Sequence, residues 1–255
     1  MDVRSYNRDA WDREVDRGNR WTLPASPDAI AAARRGDVSV LLTEQKQVPL
    51  EWLNPLKGRD VLCLACGGGQ QGPIFAAAGA NVTVFDNSPR QLERDREVAE
   101  RENLLLSLVE GDMRNLSTFK DGTFDLIFNP VSTVFIPEVH PVWREAFRVL
   151  RSGGILLTGM MNPIQYIFNL FKMDENILEV EYSIPYSDLT SMSDVDREEY
   201  FESGAPLEFG HSLTDLLGGQ MRAGFHLVDL YEDGSQESPL SKYHPIYIAS
   251  RAFKP

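Results

Sequence analysis

The run Val61-Leu62-Cys63-Leu64-Ala65-Cys66-Gly67-Gly68-Gly69-Gln70-Gln71-Gly72 takes an apolar stretch straight into a glycine-rich turn and then a helical segment. Glycines at such a place let the backbone come close to a ligand and leave the amides of a helix start free to donate to it. Gly67, Gly69 and Gly72 satisfy G-x-G-x-x-G, which in a strand-turn-helix context points to a nucleotide-like cofactor without saying which one. Asp86 closes the next apolar run, VTVFD, at about the offset where a carboxylate would accept from two vicinal ribose hydroxyls. A turn also favours Asp, so that plainer role stands beside the first. Downstream, Asp112 would accept from an adenine amino group while Met113 packs on the ring face, or the pair would simply form a turn. Asn129 ends the run FDLIF, and the carboxyl ends of strands in open α/β sheets are where ligands sit.

The elements that must position these residues are short apolar runs separated by helical stretches. The runs are Val61 to Cys66, Val82 to Phe85, Leu105 to Val109, Phe124 to Phe128 and Ile155 to Gly159. This alternation is the signature of βαβ units in a parallel sheet. Between the second and third runs a helix has a legible start, with Ser88 to cap it, Pro89 in first position and Gln91 to close a capping box. Pro141 to Leu150 reads as another helix. The chain finishes with a helix over Ser212 to Ala223, a strand over Phe225 to Tyr231 and a strand over Pro245 to Phe253. Residues 1–56 are charged, Trp-bearing and without strand alternation, apart from a helix over Pro27 to Arg35 that Ser26 can cap, and they read as a helical lid or extension. Residues 57–255 form the main domain, with a cap insertion at about 160–211 where aromatics mix with acids and turn residues.

A chain of 255 residues supports one large domain with a sizeable core. Its 25 basic against 38 acidic side chains leave a net charge of −13, which repels a phosphate backbone and argues against nucleic acid as a partner. Cys63 and Cys66 lie in one apolar run with no second Cys or His pair to complete a metal site, so no metal is expected. They read as small buried residues. The charged N-terminus has no signal-peptide stretch, and no run approaches the roughly 18 apolar residues of a membrane span, so a cytoplasmic location is the expectation.

The series VLCLACGGG, VTVFD, EGDM, FDLIF and FRVLRSGGILL, in this order and spacing over about 58–160, resembles the core of class I S-adenosylmethionine-dependent methyltransferases, in particular the bacterial small-molecule branch. The resemblance implies a Rossmann-like, seven-stranded, mostly parallel α/β sheet with helices on both faces and an antiparallel last strand. It implies S-adenosyl-L-methionine as cofactor, with the turn Ala65, Cys66, Gly67, Gly68, Gly69 and Gln70 against the methionine part. Asp86 would then meet the ribose, Asn87, Asp112 and Met113 the adenine, Gln91 would also border the cofactor, and Asn129 would lie beside the sulfonium. The resemblance further implies that N-terminal helices close over the site, which makes Trp11, Arg20 and Trp21 lid contacts or else packing anchors. Two positions depart from the pattern: Cys63 stands where the family usually has an acid, and Ala65 where it often has the first glycine.

Transfer from a sulfonium is a displacement in which the protein mainly aligns nucleophile, methyl and sulfur. A phenol or amine would also need a proton removed, and a general base typically adds roughly 100- to 10,000-fold. His140 is the best-placed base in the sequence, just before the helix at Pro141, although a partly exposed helix-start residue reads the same way; His211 and Tyr166 are further candidates. Asn129-Pro130-Val131-Ser132 lacks the second proline and the aromatic typical of nucleobase-amine methyltransferases, which again favours a small-molecule acceptor. Two rivals remain at this level: a protein that binds S-adenosylmethionine or a partner without catalysis, and an NAD(P)-dependent oxidoreductase. Oligomeric state is left open.

Overall fold

The computed structural model describes residues 1–53 and 55–255. Helix α1 (Val3–Arg17) starts where the Asp2 carboxylate accepts from the Arg4 amide, and it stops at Gly18 in the left-handed region. Helix α2 (Pro27–Arg34) has Pro27 in its first turn and is capped by the Ser26 hydroxyl, as its sequence predicts. A short α3 (Leu50–Leu53) leads to the sheet.

The sheet is built from β1 (Asp60–Leu64), β2 (Asn81–Asp86), β3 (Leu106–Glu110), β4 (Phe124–Asn129) and β5 (Leu150–Met161), joined by α4 (Gln71–Ala77), α5 (Pro89–Glu102) and α6 (His140–Val149). An insertion follows, with α7 (Leu170–Asp174), the paired two-residue strands β6 (Tyr186–Ser187) and β7 (Phe209–Gly210), and α8 (Asp194–Ser203) between them. Helix α9 (Leu213–Ala223), β8 (His226–Asp233) and β9 (Tyr247–Phe253) complete the chain. The strand order is β3-β2-β1-β4-β5-β9-β8, with β1 to β5 parallel and β9 inserted antiparallel between β5 and β8. This is the seven-stranded, mostly parallel sheet with an antiparallel finish that the sequence implies.

Period-two alternation divides the core between the two faces. Val61 and Cys63 of β1 pack with α2 to α5 on one face. Leu62 and Leu64 pack with α6 and α9 on the other, where Trp143 and Phe225 are fully enclosed. A strand buried on both sides reads as an unbroken apolar run, which is why β1 was legible and its polarity was not alternating.

Several boundaries move for identifiable reasons. Strand β1 ends at Leu64 rather than Cys66 because Ala65 turns to φ 47°, outside the extended region. Strand β5 begins ahead of its apolar segment, with a register irregularity against β4 between Phe124 and Leu126. Only half of the expected capping box forms at α5: the Ser88 hydroxyl accepts from the Gln91 amide at 3.0 Å, while Gln91 Oε1 finds no partner among the described residues. The N-terminal region is more ordered than its sequence signals. It contributes α1 and a loop in which Leu41 and Gln47 are bridged, held down because Asp233 accepts from the Thr43 hydroxyl and from the Gln45 and Lys46 amides at 2.8 to 2.9 Å. The Leu42 carbonyl of that loop lies on β5 over Gly159, where a Cβ would come within 1.9 Å of it. Only glycine permits that approach.

Candidate active site

The strand order reverses between β1 and β4, and in open α/β sheets ligands bind in the crevice outside the strand ends at such a point. A cavity of about 480 Å³ lies there, walled by the turns that follow β1 to β4 and roofed by α1 and the 39–47 loop. That is within the usual range for small-molecule and cofactor sites.

One half of the cavity is formed by the ends of β1, β2 and β3. Ala65, Cys66, Gly67 and Gln70 of the glycine-rich turn line it. The bare backbone at Gly67 is required, since a Cβ there would stand 2.6 Å from Gln91 Cβ and 3.1 Å from the Asp86 carboxyl group. Asp86 organises this wall: Oδ2 accepts from the Gly67 amide at 2.8 Å and Oδ1 from the Ser88 amide at 2.9 Å. Burial pushes its carboxyl above the ordinary value, against the lowering effect of those amides. Behind the turn, buried Asp95 accepts from the Gly68 amide at 3.1 Å, and burial raises its carboxyl well above the usual range. Burial likewise pushes the Cys66 thiol up, so a resting thiolate is disfavoured.

Asn87, Gln91, Asp112 and Met113 also line this half. Asn87 is gripped by α1, its amide donating to the Arg4 carbonyl at 2.9 Å and its Oδ1 accepting from Arg4 Nε at 3.0 Å. Asp112 carries a forked pair with Arg114, at 2.7 Å to Nη2 and 3.0 to 3.1 Å to Nε. Burial would raise the Asp112 carboxyl, but the Arg114 bonds outweigh it and hold it below the ordinary value.

Other predicted site residues stand elsewhere. Gly68 and Gly69 do not border the cavity; they are pressed against α5 and the 21–25 segment, where the Ala25 amide donates to the Gly69 carbonyl at 2.8 Å. Asn129 is fully buried behind the wall, donating to the Leu64 carbonyl at 2.8 Å and to Ser132 Oγ at 2.7 Å, so that Pro130, Val131 and Ser132 provide the lining instead. Trp11 and Trp21 line the roof, Trp11 edge-on to Phe135. Arg20 lies outside, over the Trp21 ring and paired with Glu44 at 3.3 Å and Glu237 at 2.9 Å.

His140 does not reach the cavity: its Nε2 lies 3.0 Å from Asp215 Oδ1 at the start of α9, because α6 and α9 pack together on the face of the sheet away from the roof. His211 is also off the lining, with Nε2 3.0 Å from the Thr133 and Ile136 carbonyls, and burial lowers its pKa. Tyr166 is enclosed rather than exposed to ligand, but its hydroxyl donates at 2.6 Å to Oε2 of Glu208, which does line the cavity.

Glu208 and Asn7 are two polar cavity residues that the sequence did not single out. Asn7 is buried on α1 and ties three parts of the wall together. Its amide donates to the Phe135 and Leu207 carbonyls at 2.8 and 3.0 Å, and its Oδ1 accepts from the Leu207 amide at 2.7 Å. Nothing in the charged helix sequence marks it. Glu208 had a faint signal, an acid flanked by the apolar Leu207 and Phe209.

A family model described as a methyltransferase domain matches residues 62–158. The uncharacterized methyltransferase YbaJ of Bacillus subtilis (strain 168) is 44% identical over 250 residues, covering 98% of each chain. The chain belongs to the S-adenosylmethionine-dependent methyltransferases. A sterol 24-C-methyltransferase of Aspergillus fumigatus is 39% identical over 102 residues, which are 39% of this chain and 27% of that protein. Among solved structures, an S-adenosylmethionine-dependent methyltransferase from Mesorhizobium loti superposes with a TM-score of 0.61 at 16% identity, over 80% of this chain and 94% of the other, a likeness of fold.

Membership decides between the cofactors that the glycine spacing left open, in favour of S-adenosylmethionine over a nicotinamide. The methyltransferase's own wall fits that group: a half-buried carboxylate at the end of β2, a turn stripped of side chains at Gly67, and apolar Phe85 and Met113 beside it. Among the described residues, no cluster of three or more His, Cys, Asp or Glu could hold a metal ion, and no helix is long and apolar enough to cross a membrane.

Proposed function

We propose that the methyltransferase acts on a small-molecule acceptor that sits in the same cavity as the cofactor and is methylated by direct displacement. In this reading Asp86 would hold the ribose hydroxyls, the Ala65 to Gln70 turn the methionine part, and Asn87, Gln91 and Met113 the adenine side. Asp112 would have to accept an adenine amino group while still paired to Arg114. The cofactor supplies an electrophilic methyl already attached to a neutral leaving group, so the chain's task is to align the acceptor and exclude water.

The observation that carries this reading is the roof. Helix α1, pinned through Asn7, and the 39–47 loop, pinned through Asp233, cover the part of the cavity beyond β4. A small apolar or aromatic metabolite suits the lining that Val131, Val134, Phe135 and Met161 provide beneath this roof. The charge of −13 adds repulsion against polyphosphates, and the partial likeness to a sterol methyltransferase supports a small acceptor.

Isothermal titration with S-adenosylmethionine, its demethylated product and NADH tests the cofactor side, with binding expected for the first two only. Incubation with S-adenosylmethionine and a metabolite extract, an oligonucleotide or a protein mixture, read by mass spectrometry, tests the acceptor side. Mass gain confined to the oligonucleotide or the protein would overturn the small-molecule reading.

A further inference from the structure

Building on the small-acceptor reading above, we propose that the acceptor is an amine, held as an ammonium ion against Glu208, and that Glu208 takes its N–H proton. Three observations lead there. The first is charge placement. The cationic side chains on the cavity wall, Arg4 and Arg114, are both at the β2 and β3 end, engaged with Asn87 and Asp112. The acceptor half instead carries two carboxylates, Glu44 and Glu208. Glu44 is already met by Arg20 at 3.3 Å and by the Tyr247 hydroxyl at 3.1 Å. Glu208 has no cationic partner among the described residues.

The second observation is how Glu208 is held. Tyr166 fixes Oε2 at 2.6 Å, leaving Oε1 without a hydrogen bond among the described residues on a wall that faces the cavity. Its main chain is clamped by Asp188, whose Oδ2 accepts from the Glu208 amide at 2.6 Å, and by the neighbouring Leu207 bonds to Asn7. A carboxylate positioned this firmly and lacking a counter-charge is a preorganised partner for a cation.

The third is the setting. Glu208 is faced by Asp188 and by the phenols of Tyr166, Tyr186, Tyr200 and Tyr247, with no lysine, arginine or histidine among the groups that shift it. Burial and the Asp188 charge push its carboxyl up to about 7, against the Tyr166 bond that lowers it. A base in that range is closer to an ammonium's own pKa than an ordinary glutamate, which eases proton transfer. In the step itself the N–H bond breaks, its electron pair stays on nitrogen as the nucleophile, and the proton passes to the carboxylate. The proton leaves to water when the product does.

The test uses matched probes on the full chain saturated with S-adenosylhomocysteine. The pairs are 2-phenylethylamine against 2-phenylethanol and octylamine against 1-octanol. Titration calorimetry should show at least one amine binding about tenfold or more tightly than its alcohol, the scale of one charged hydrogen bond. The preference should grow from pH 6 to pH 8 and vanish in Glu208→Gln, while S-adenosylhomocysteine binds that variant as it binds the wild type. Glu208→Asp, which keeps the charge, should restore part of the preference. No amine preference in either pair, or a preference that survives in Glu208→Gln, would overturn the proposal. Failure of the wild type to bind S-adenosylhomocysteine would overturn the cofactor site as drawn, and the amine proposal with it.

Discussion

The two halves of the cavity are assembled from the chain in different ways. The proposed cofactor half is contributed mainly by residues at or just past a strand end: 65–67 after β1, Asp86 and Asn87 at the end of β2, 111–114 after β3. The proposed acceptor half is gathered from distant parts of the chain: α1, the 39–47 loop, the segment after β4, the end of β5 and the insertion. Turns at strand ends are set by local geometry. A wall of side chains held by buried hydrogen bonds changes with each residue that is replaced. On the proposed reading the first half would take the cofactor and the second would set what is methylated.

The sharpest way to separate the halves is Glu208→Gln. Turnover of an amine acceptor should fall by about 100- to 10,000-fold, the usual span for a general base, with S-adenosylhomocysteine affinity unchanged. In the wild type the rate should rise as pH passes about 7, where Glu208 loses its proton. The linked effect on stability runs the opposite way. The Glu208 carboxyl sits at about 7 when folded against 4.5 when free, so its contribution is full below 4.5 and is lost as pH rises through about 7. Thermal denaturation at pH 5 and pH 8 should show a drop that is smaller in Glu208→Gln.

Asp86→Ala probes the other half. It removes the acceptor for the Gly67 and Ser88 amides as well as the proposed ribose partner, and should weaken S-adenosylhomocysteine by about 10- to 100-fold in titration calorimetry. A smaller loss would mean that the main-chain turn alone carries the affinity.

Asn7→Ala leaves the Leu207 amide and two carbonyls without partners, and should destabilise the chain by about 1–3 kcal/mol in urea denaturation. Its effect on amine binding should exceed its effect on the cofactor; equal losses would blur the distinction between the halves. Ala65→Gly relieves a left-handed residue on the cofactor wall and should raise stability by about 1 kcal/mol with cofactor affinity retained or improved. Least of all, His140→Ala should leave turnover unaltered and change stability by less than about 1 kcal/mol, since its pair with Asp215 is half-exposed.

These contrasts follow what could be read from the residues alone. Strands β1 to β5 and the turns after the first three were legible because apolar runs, helix caps and glycine spacing are local signals. Asp86 and Met113 were found for that reason, and both line the cavity. Gly68 and Gly69 belong to the same motif but meet α5 rather than the cavity, because a glycine pattern records that side chains are forbidden, not which neighbour forbids them. Asn129 followed the right strand, yet its amide turns inward to Leu64 and Ser132. His140 looked like a base because it stands near the β4 loop in sequence, whereas in space it belongs to the α6 and α9 layer.

The sheet and the half of the site that hangs on it could be read from residue order, since each of those contacts is set within a few residues of a strand end. Folding in space is what puts Tyr166 behind Glu208, separated by 42 positions, and locks Asn7 to Leu207 across 200. Such partners leave no periodicity or spacing in the chain. They are selected by which surfaces become buried together, where an unpaired polar group is expensive and each one must find its mate in three dimensions.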